Sequence, residues 1–348
     1  MECVQVERKS VYSFYARMIV VSLCLLAIRT ESSPLSENTY LNAVELLTTF
    51  SGEKAEQYEP FFQFSDETRI VGVEIHAAGT DDTDARYYAG TEVWKQINNI
   101  LRITTADGFE GISGVVSENQ GEFSDEHLLE LQSVTTDLLA LRSLDPVEVG
   151  TMLERTRPDL SDASRANIDI ALWDLAARRA GLPLYELLGA KRDSIEPYAS
   201  LPFYDSLPEY VEAVNNYAKL GYRTFKFHVW GLIEEDSKLV KLIQQTFAVS
   251  PYQFMIDLEG AYDFEDALRL GGEMDERFFI WLEGPIDDKL LEQYMELKSR
   301  LALPIIPAGY NIYSPEFIRQ GIKTGSWDAG RFDATTIGGI SKALELLI

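Results

Sequence analysis

Cysteine is nearly absent from this chain of 348 residues: only Cys3 and Cys24 occur, both close to the start. The body of the chain therefore holds no disulfide framework, no cysteine metal site and no cysteine nucleophile. Histidine is almost as scarce, and His76, His127 and His228 lie too far apart in sequence to form a histidine-rich metal cluster. Positive charge is short as well, with 31 Lys and Arg against 56 Asp and Glu, a net charge of −25. That balance argues against nucleic acid and anionic lipid as partners. It reads first as a solubility or high-salt adaptation, and second as an acidic metal-binding surface. Long apolar runs are missing. Met18 to Ile28 is an apolar stretch of eleven residues between Arg17 and Arg29, too short to cross a bilayer as a helix. Basic residues precede it as in a secretory signal, but no small-x-small cleavage site follows. We expect a cytoplasmic protein with no stable membrane span, secretory targeting through residues 18–28 being the alternative.

What is present fits an ordinary globular chain: 46% hydrophobic and 25% charged residues, with length enough for two domains and a large core. Residues 30–63 are polar with little periodicity, so 1–63 reads as an N-terminal extension. Ile70 to His76, Asn99 to Thr105 and Phe109 to Ser117 read as three antiparallel strands, the last two joined by a turn at Asp107-Gly108. The connection from Gly79 to Gln96 carries Arg86, Tyr87, Tyr88 and Trp94. A loop of that length with aromatics is either a functional cover or disordered; read as a cover, it makes Tyr88 and Trp94 candidate substrate contacts. Three helices follow. One runs from Ser124 to Arg142, from an incomplete capping box in which His127 replaces the usual Glu or Gln. The next begins at Asp145-Pro146 and ends near Arg155. The third runs from Ser161 to Ala180 and is stopped by Gly181 and Pro183. A domain boundary falls near Ala190 to Asp193, dividing 64–190 from 191–348.

The second half repeats a different pattern. Apolar runs end at Leu201, His228, Glu259, Glu283 and Tyr310, and a sixth spans Trp327 to Thr335. From Lys226 the steps are 31 residues to Asp257, 26 to Glu283 and 27 to Tyr310, the length of a strand, a helix and two loops. Repeated βα units imply parallel strands. Polar side chains at their carboxyl ends converge at the mouth of a βα barrel. The expected fold is an α/β chain: an α+β capping domain, with a three-stranded antiparallel meander plus helices, on an incomplete (β/α) TIM-like barrel of six visible strands.

Ala166-Asn167-Ile168-Asp169-Ile170-Ala171-Leu172-Trp173-Asp174-Leu175, then Gly181-Leu182-Pro183-Leu184-Tyr185-Glu186-Leu187-Leu188-Gly189, resembles the cap-domain helix of the enolase superfamily, most closely its mandelate racemase and muconate lactonizing subgroup. Lys226-x-His228 is similar to that family's second-strand base motif. Asp257 and Glu283, in Leu282-Glu283-Gly284-Pro285, match its first two metal ligands. Phe332-Asp333 before Ile337-Gly338-Gly339 looks like its sixth-strand motif. The resemblance covers roughly residues 65–348. It implies Mg2+ at the barrel mouth and removal of the proton α to a carboxylate through an enediolate. It also implies a small-molecule carboxylic acid, most closely an acid sugar, as partner, with dehydration or epimerisation as the outcome. A homo-oligomer is left open.

Within that resemblance Lys226 is the candidate base, and its other reading is a strand lysine paired with a carboxylate. His228 shares its strand face and is the local candidate acid, or an interior hydrogen-bonded histidine. Asp257 and Glu283 are candidate metal ligands, because isolated buried carboxylates are expensive. Glu259, two residues beyond Asp257, either joins them or pairs with Lys226 or His228. Tyr310 stands where the family carries a third glutamate ligand. A phenol is a poor magnesium ligand, so Tyr310 reads as a substrate contact or a core residue. Asp333 matches an aspartate that in the family orients a seventh-strand histidine, and no such histidine follows. A catalytically impaired relative that binds a ligand is therefore the alternative function. Because strands one and six would leave open edges, we expect the sequence to represent part of a longer chain or a misassigned gene.

Overall fold

The computed structural model describes residues 64–79, 97–117, 126–189, 194–309 and 314–346. The first unit opens with a meander of β1 (Ile70–Gly79), β2 (Ile97–Thr105) and β3 (Glu110–Ser117), paired antiparallel in that order. β1 and β2 run further than their apolar alternation indicates, because Ala77, Ala78 and Gly79 continue the ladder to Asn99, Asn98 and Ile97. Gly108, at φ 87°, makes the turn before β3. The long first helix expected after the meander is two helices, α1 (Glu126–Ser133) and α2 (Thr135–Leu139). The break lies in the Ser133-Val134-Thr135-Thr136 stretch. There the Ser133 hydroxyl bonds back to the Glu130 carbonyl at 2.7 Å, and β-branched residues weaken the helix. Ser124 lies outside the described residues.

α3 (Pro146–Thr156) is capped as its sequence requires, Asp145 accepting from the Val147 and Glu148 amides at 2.8 and 3.0 Å. α4 (Asp162–Ala180) starts on Ser161, whose hydroxyl accepts from the Ser164 amide, and ends on left-handed Gly181. α4 lies against β3 so closely that a Cβ on Gly111 would sit 2.1 Å from the Ala171 carbonyl. A short α5 (Leu184–Leu187) closes the unit. Its core joins Ile75, Leu101, Ile103, Leu131, Leu138 and Leu172. His127 is buried there between the side-chain amides of Asn99 and Asn167.

The second unit is a parallel sheet in sequence order: β4 (Ala199–Leu201), β5 (Thr224–His228), β6 (Gln253–Asp257), β7 (Phe279–Glu283) and β8 (Ile305–Ile306). Between them run α6 (Leu207–Lys219), α7 (Ile233–Thr246), α8 (Phe264–Glu273) and α9 (Leu291–Arg300), followed by α10 (Pro315–Thr324) and α11 (Ile340–Glu345). β4 begins only at Ala199, and Ile195 before it is 80% exposed and outside the core. The expected sixth strand, Trp327 to Thr335, is a correction. It lies beside β8 but forms no ladder. The Asp328 amide donates to Ile305 O at 2.9 Å, while the Ile305 amide is taken by the Asp328 carboxylate at 2.8 Å. Lys298 takes the Gly325 and Trp327 carbonyls. Side chains thus satisfy the groups a ladder would use. Among the described residues the barrel has five strands and is not closed.

Alternation sorts the strand side chains. Phe225, Phe227, Phe254, Ile256, Phe279 and Leu282 face the helices and form the main core. Met255, Trp281, Ile306 and Ala329 make a smaller cluster on the other face. The β6–β7 register skips Ile280, pairing Phe254 with Phe279 but Met255 with Trp281. The skip brings Trp281 and Glu283 into phase with Met255 and Asp257.

The two units meet where α4 touches α11. The Ser341 hydroxyl donates to the Asp169 carboxylate, the Ser341 amide donates to it at 3.1 Å, and Trp173 Nε1 donates to Ser341 Oγ at 3.0 Å. Gly339 is required, since a Cβ there would lie 2.4 Å from Asp169 Oδ2. Burial raises the Asp169 carboxyl to about 6, against the lowering effect of the Ser341 bonds. A carboxyl raised by folding stabilises the fold fully below its unfolded pKa and loses that contribution as pH rises through its folded pKa. Stability is therefore expected to decline between about pH 4 and pH 6 by on the order of 3 kcal/mol through this one group. Urea denaturation across that range should show the decline in the native chain and a flatter profile in Asp169→Asn.

Candidate active site

Five of the residues singled out in the sequence meet on the inner face at the ends of β5, β6 and β7. Lys226 is 3% exposed, and Asp257, Glu283 and His228 are 1% exposed. Lys226 Nζ donates to Asp257 Oδ2 at 2.6 Å and to Glu283 Oε1 at 3.0 Å. His228 Nε2 lies 3.5 Å from Asp257 Oδ2 and 3.4 Å from Glu259 Oε1, and its Nδ1 lies 2.7 Å from the Leu201 carbonyl. The end of β5 is held from outside by Tyr210, whose hydroxyl donates to His228 O at 2.6 Å. Glu259 is the one described non-glycine residue at positive φ, 51°. Its amide donates to Asp257 Oδ1 at 3.2 Å. A left-handed non-glycine residue is sparsely populated and persists where surroundings fix it.

Three participants carried no clear signal in the sequence. Arg331, 7% exposed, places Nη1 3.1 Å from Glu283 Oε1 and donates to the Ala308 carbonyl. Trp281 Nε1 donates to Glu283 Oε2 at 3.2 Å. Asp288 accepts from the Ala308 and Gly309 amides at 2.9 and 2.8 Å and from the Tyr294 hydroxyl at 2.9 Å, which fixes the exit of β8. Period-two spacing back from Glu283 points to Trp281. Arg331 lies in the segment that the sequence assigns to a strand, and no motif marks it.

Four further candidates remain. The Asp333 carboxylate accepts from the Thr335 amide and hydroxyl, both at 2.8 Å, and closes a local turn. Tyr310, Tyr88 and Trp94 lie outside the described residues.

The electrostatics follow from burial and near balance. Asp257, Glu259 and Glu283 face Lys226, Arg331 and His228. Burial would lower the Lys226 ammonium, but Asp257 and Glu283 outweigh it and hold it well above its ordinary value. Burial likewise presses His228 towards neutrality, while its contacts to Asp257 and Glu259 carry it up to about 9. Burial opposes ionisation of Asp257, yet Lys226 and His228 keep it well below the ordinary carboxylate value. Glu283 is raised, by burial first and then by the charge of Asp257.

A divalent cation fits part of this arrangement. His228, Asp257 and Glu259 each offer a ligand atom, all within 4.8 Å of one another. Glu283 has both oxygens engaged, one by Lys226 and Arg331 and one by Trp281. Its Oε2 accepts one hydrogen bond, from Trp281, and keeps a lone pair that could meet a cation.

Sequence comparison agrees with the fold. Residues 74–189 match the mandelate racemase/muconate lactonizing enzyme N-terminal domain, and residues 209–347 match the enolase C-terminal domain-like family. The chain belongs to the enolase superfamily, in its mandelate racemase/muconate lactonizing enzyme subgroup. The L-talarate/galactarate dehydratase of Salmonella typhimurium is 29% identical over 256 residues, 71% of this chain and 63% of that protein. The chain thus spans less than two thirds of that relative. Arabinonate dehydratase of Saccharolobus solfataricus is 24% identical over 70% of this chain and 67% of its own length. The Salmonella enzyme crystallised with Mg and L-lyxarohydroxamate superposes with a TM-score of 0.71 at 27% identity, covering 80% of this chain and 74% of that one. Among the described residues no helix is long and apolar enough to cross a membrane. The apolar run 18–28 lies outside them.

Proposed function

We propose that the chain carries the proton-abstracting centre of an acid-sugar dehydratase, with Lys226 as base and an Mg2+-assisted enediolate as intermediate. The observation that carries this reading is Lys226 Nζ within hydrogen-bond reach of both Asp257 and Glu283 on one buried face. Its support in the comparisons is the similarity to proteins named as dehydratases of talarate/galactarate and arabinonate.

The proton α to a carboxylate is very weakly acidic, so the charge formed on the carboxylate oxygens must be stabilised as it develops. Asp257, Glu259 and Glu283 are the oxygen donors that would hold a magnesium ion, which would supply that stabilisation as a Lewis acid. With a cation held there to neutralise Asp257 and Glu283, the Lys226 ammonium would release its proton to solvent and be left as the free amine. Its free amine then takes the α-proton. The enediolate collapses with departure of the β-hydroxyl as water, and the enol tautomerises to a 2-keto-3-deoxy acid. His228 is the local proton donor to the leaving hydroxyl.

A second reading is favoured by one observation. Lys226, Arg331 and Trp281 already engage every oxygen of Glu283, so the centre is internally satisfied as a scaffold for ligand binding without turnover. A panel of aldonic and aldaric acids, incubated with the chain and Mg2+ and assayed for 2-keto-3-deoxy acids, separates the two. Turnover that disappears in Lys226→Met supports the dehydratase. Turnover that survives the substitution contradicts the assigned base. Ligand binding without product from any member of the panel favours the scaffold.

A further inference from the structure

Glu234, Glu235 and Asp236 follow one another in the first turn of α7, and of the three only Asp236 is fully buried. A buried carboxylate is expensive unless it is hydrogen-bonded. Asp236 Oδ1 accepts from the Trp230 amide at 3.0 Å, and Oδ2 accepts from the Leu232 amide at 2.9 Å and from the Tyr262 hydroxyl at 2.5 Å. Both amides precede α7, whereas an ordinary cap serves amides inside the first turn of its helix. Asp236 therefore closes the loop that follows β5, and through Tyr262 it reaches the loop that follows β6.

That second loop is the one that turns Glu259 back toward the strand ends. The Ala261 amide donates to Leu258 O at 2.9 Å, across a tight turn whose central residues, Glu259 and Gly260, have φ of 51° and 75°. Glycine takes such a conformation freely and glutamate does not, so the turn needs external support. On the β7 side the Gly260 amide donates to Gly284 O at 2.7 Å and the Tyr262 amide to Pro285 O at 3.2 Å. On the β5 side the support is the Tyr262 hydroxyl on Asp236. The two loops also touch, since a Cβ on Gly231 would lie 3.1 Å from Ala261 Cβ. His228 stands two residues before Trp230, and Glu259 three before Tyr262. Their side chains meet at 3.4 Å.

We propose that Asp236 and Tyr262 are positioning residues: their hydrogen bond ties the loops after β5 and β6 together and so sets where Glu259 stands against His228. The assignment rests on the reading above for its effect on the reaction, while the tie itself is measured without turnover.

Tyr262→Phe removes the hydroxyl alone, and the full chain is compared with its native form by amide hydrogen exchange. Exchange in 258–262 is expected to quicken at least about tenfold, with exchange in α4 unchanged. Mg2+ affinity, measured by calorimetry without substrate, is expected to fall by about tenfold to a hundredfold, as when an outer partner of a metal site is lost. On an acid that the native chain turns over, kcat at saturating Mg2+ is expected to fall by about tenfold or more with KM little changed. Asp236→Asn, which keeps the volume, is expected to reproduce these changes. A Tyr262→Phe chain that loses only overall stability, with 258–262 exchanging in step with α4 and Mg2+ affinity at the native value, reduces the pair to an ordinary buried contact and overturns the assignment. A native chain that gives no heat with Mg2+, while Tyr262→Phe still opens 258–262 alone, contradicts the function proposed above and upholds the tie between the loops.

Discussion

Lys226→Met is expected to destabilise the metal-free protein by about 3–5 kcal/mol, the usual consequence of removing one partner from a buried ion pair. The substitution nearly conserves volume, so packing contributes little of the loss. What changes is charge. Asp257 and Glu283 sit opposite each other in register on adjacent strands, both about 1% exposed. Without the ammonium between them, Arg331 reaches Glu283 and His228 remains near Asp257, but neither bridges the pair. One carboxyl is then expected to stay protonated at neutral pH. Guanidinium denaturation of the two proteins measures the loss, and a divalent cation that binds the freed carboxylates should restore part of it through mass action. A loss below about 1 kcal/mol, the range of exposed ion pairs, would mean that the lysine contributes little to holding the two acids together.

Phe254→Ala is expected to cost a similar amount, about 3–5 kcal/mol, for a different reason. Phe254 is fully buried on the helix-facing side of β6. Its ring lies 5.6 Å from Phe227 and 5.9 Å from Phe225, both in stacked arrangements, with Phe247 at 5.5 Å and Phe279 at 6.1 Å. Removing it opens a cavity at the centre of an aromatic cluster spanning β5, β6 and β7, the strands that carry Lys226, Asp257 and Glu283. The nearby Ile256→Val, also fully buried, is expected to cost only about 0.5–1.5 kcal/mol. Equal losses from both substitutions would show that the aromatic cluster has no special part in holding these strands.

The parts of this structure that could be read from the sequence are those governed by local rules. Period-two alternation placed Lys226 and His228 on one face, opposite Phe225 and Phe227. The spacing of the strand ends brought Asp257 and Glu283 beside them. Ser161 and Gly181 bounded α4, and Asp145-Pro146 started α3, because capping depends on neighbours in the chain. The unread parts depend on distant partners. The skipped register at Ile280 is set by pairing with β6. The left-handed turn at Glu259 is held by Asp257. Arg331 enters the site through a segment that the apolar pattern assigned to a strand, whereas Asp328 and Lys298 satisfy that segment's backbone through side chains. The division of the helix after the meander reflects Ser133 and three β-branched residues, whose individual preferences are too weak to announce a break.

The chemistry rests on a base that can reach a carbon-bound proton. The most direct measurement is proton NMR of aldonic and aldaric acids held in deuterated water with the chain and a divalent cation. Deuterium should replace hydrogen at the carbon next to the carboxylate of at least one acid, and the replacement should slow by about a hundredfold or more in Lys226→Met, as expected for loss of a general base. Exchange at that carbon continuing at the native rate without Lys226 would contradict the assignment.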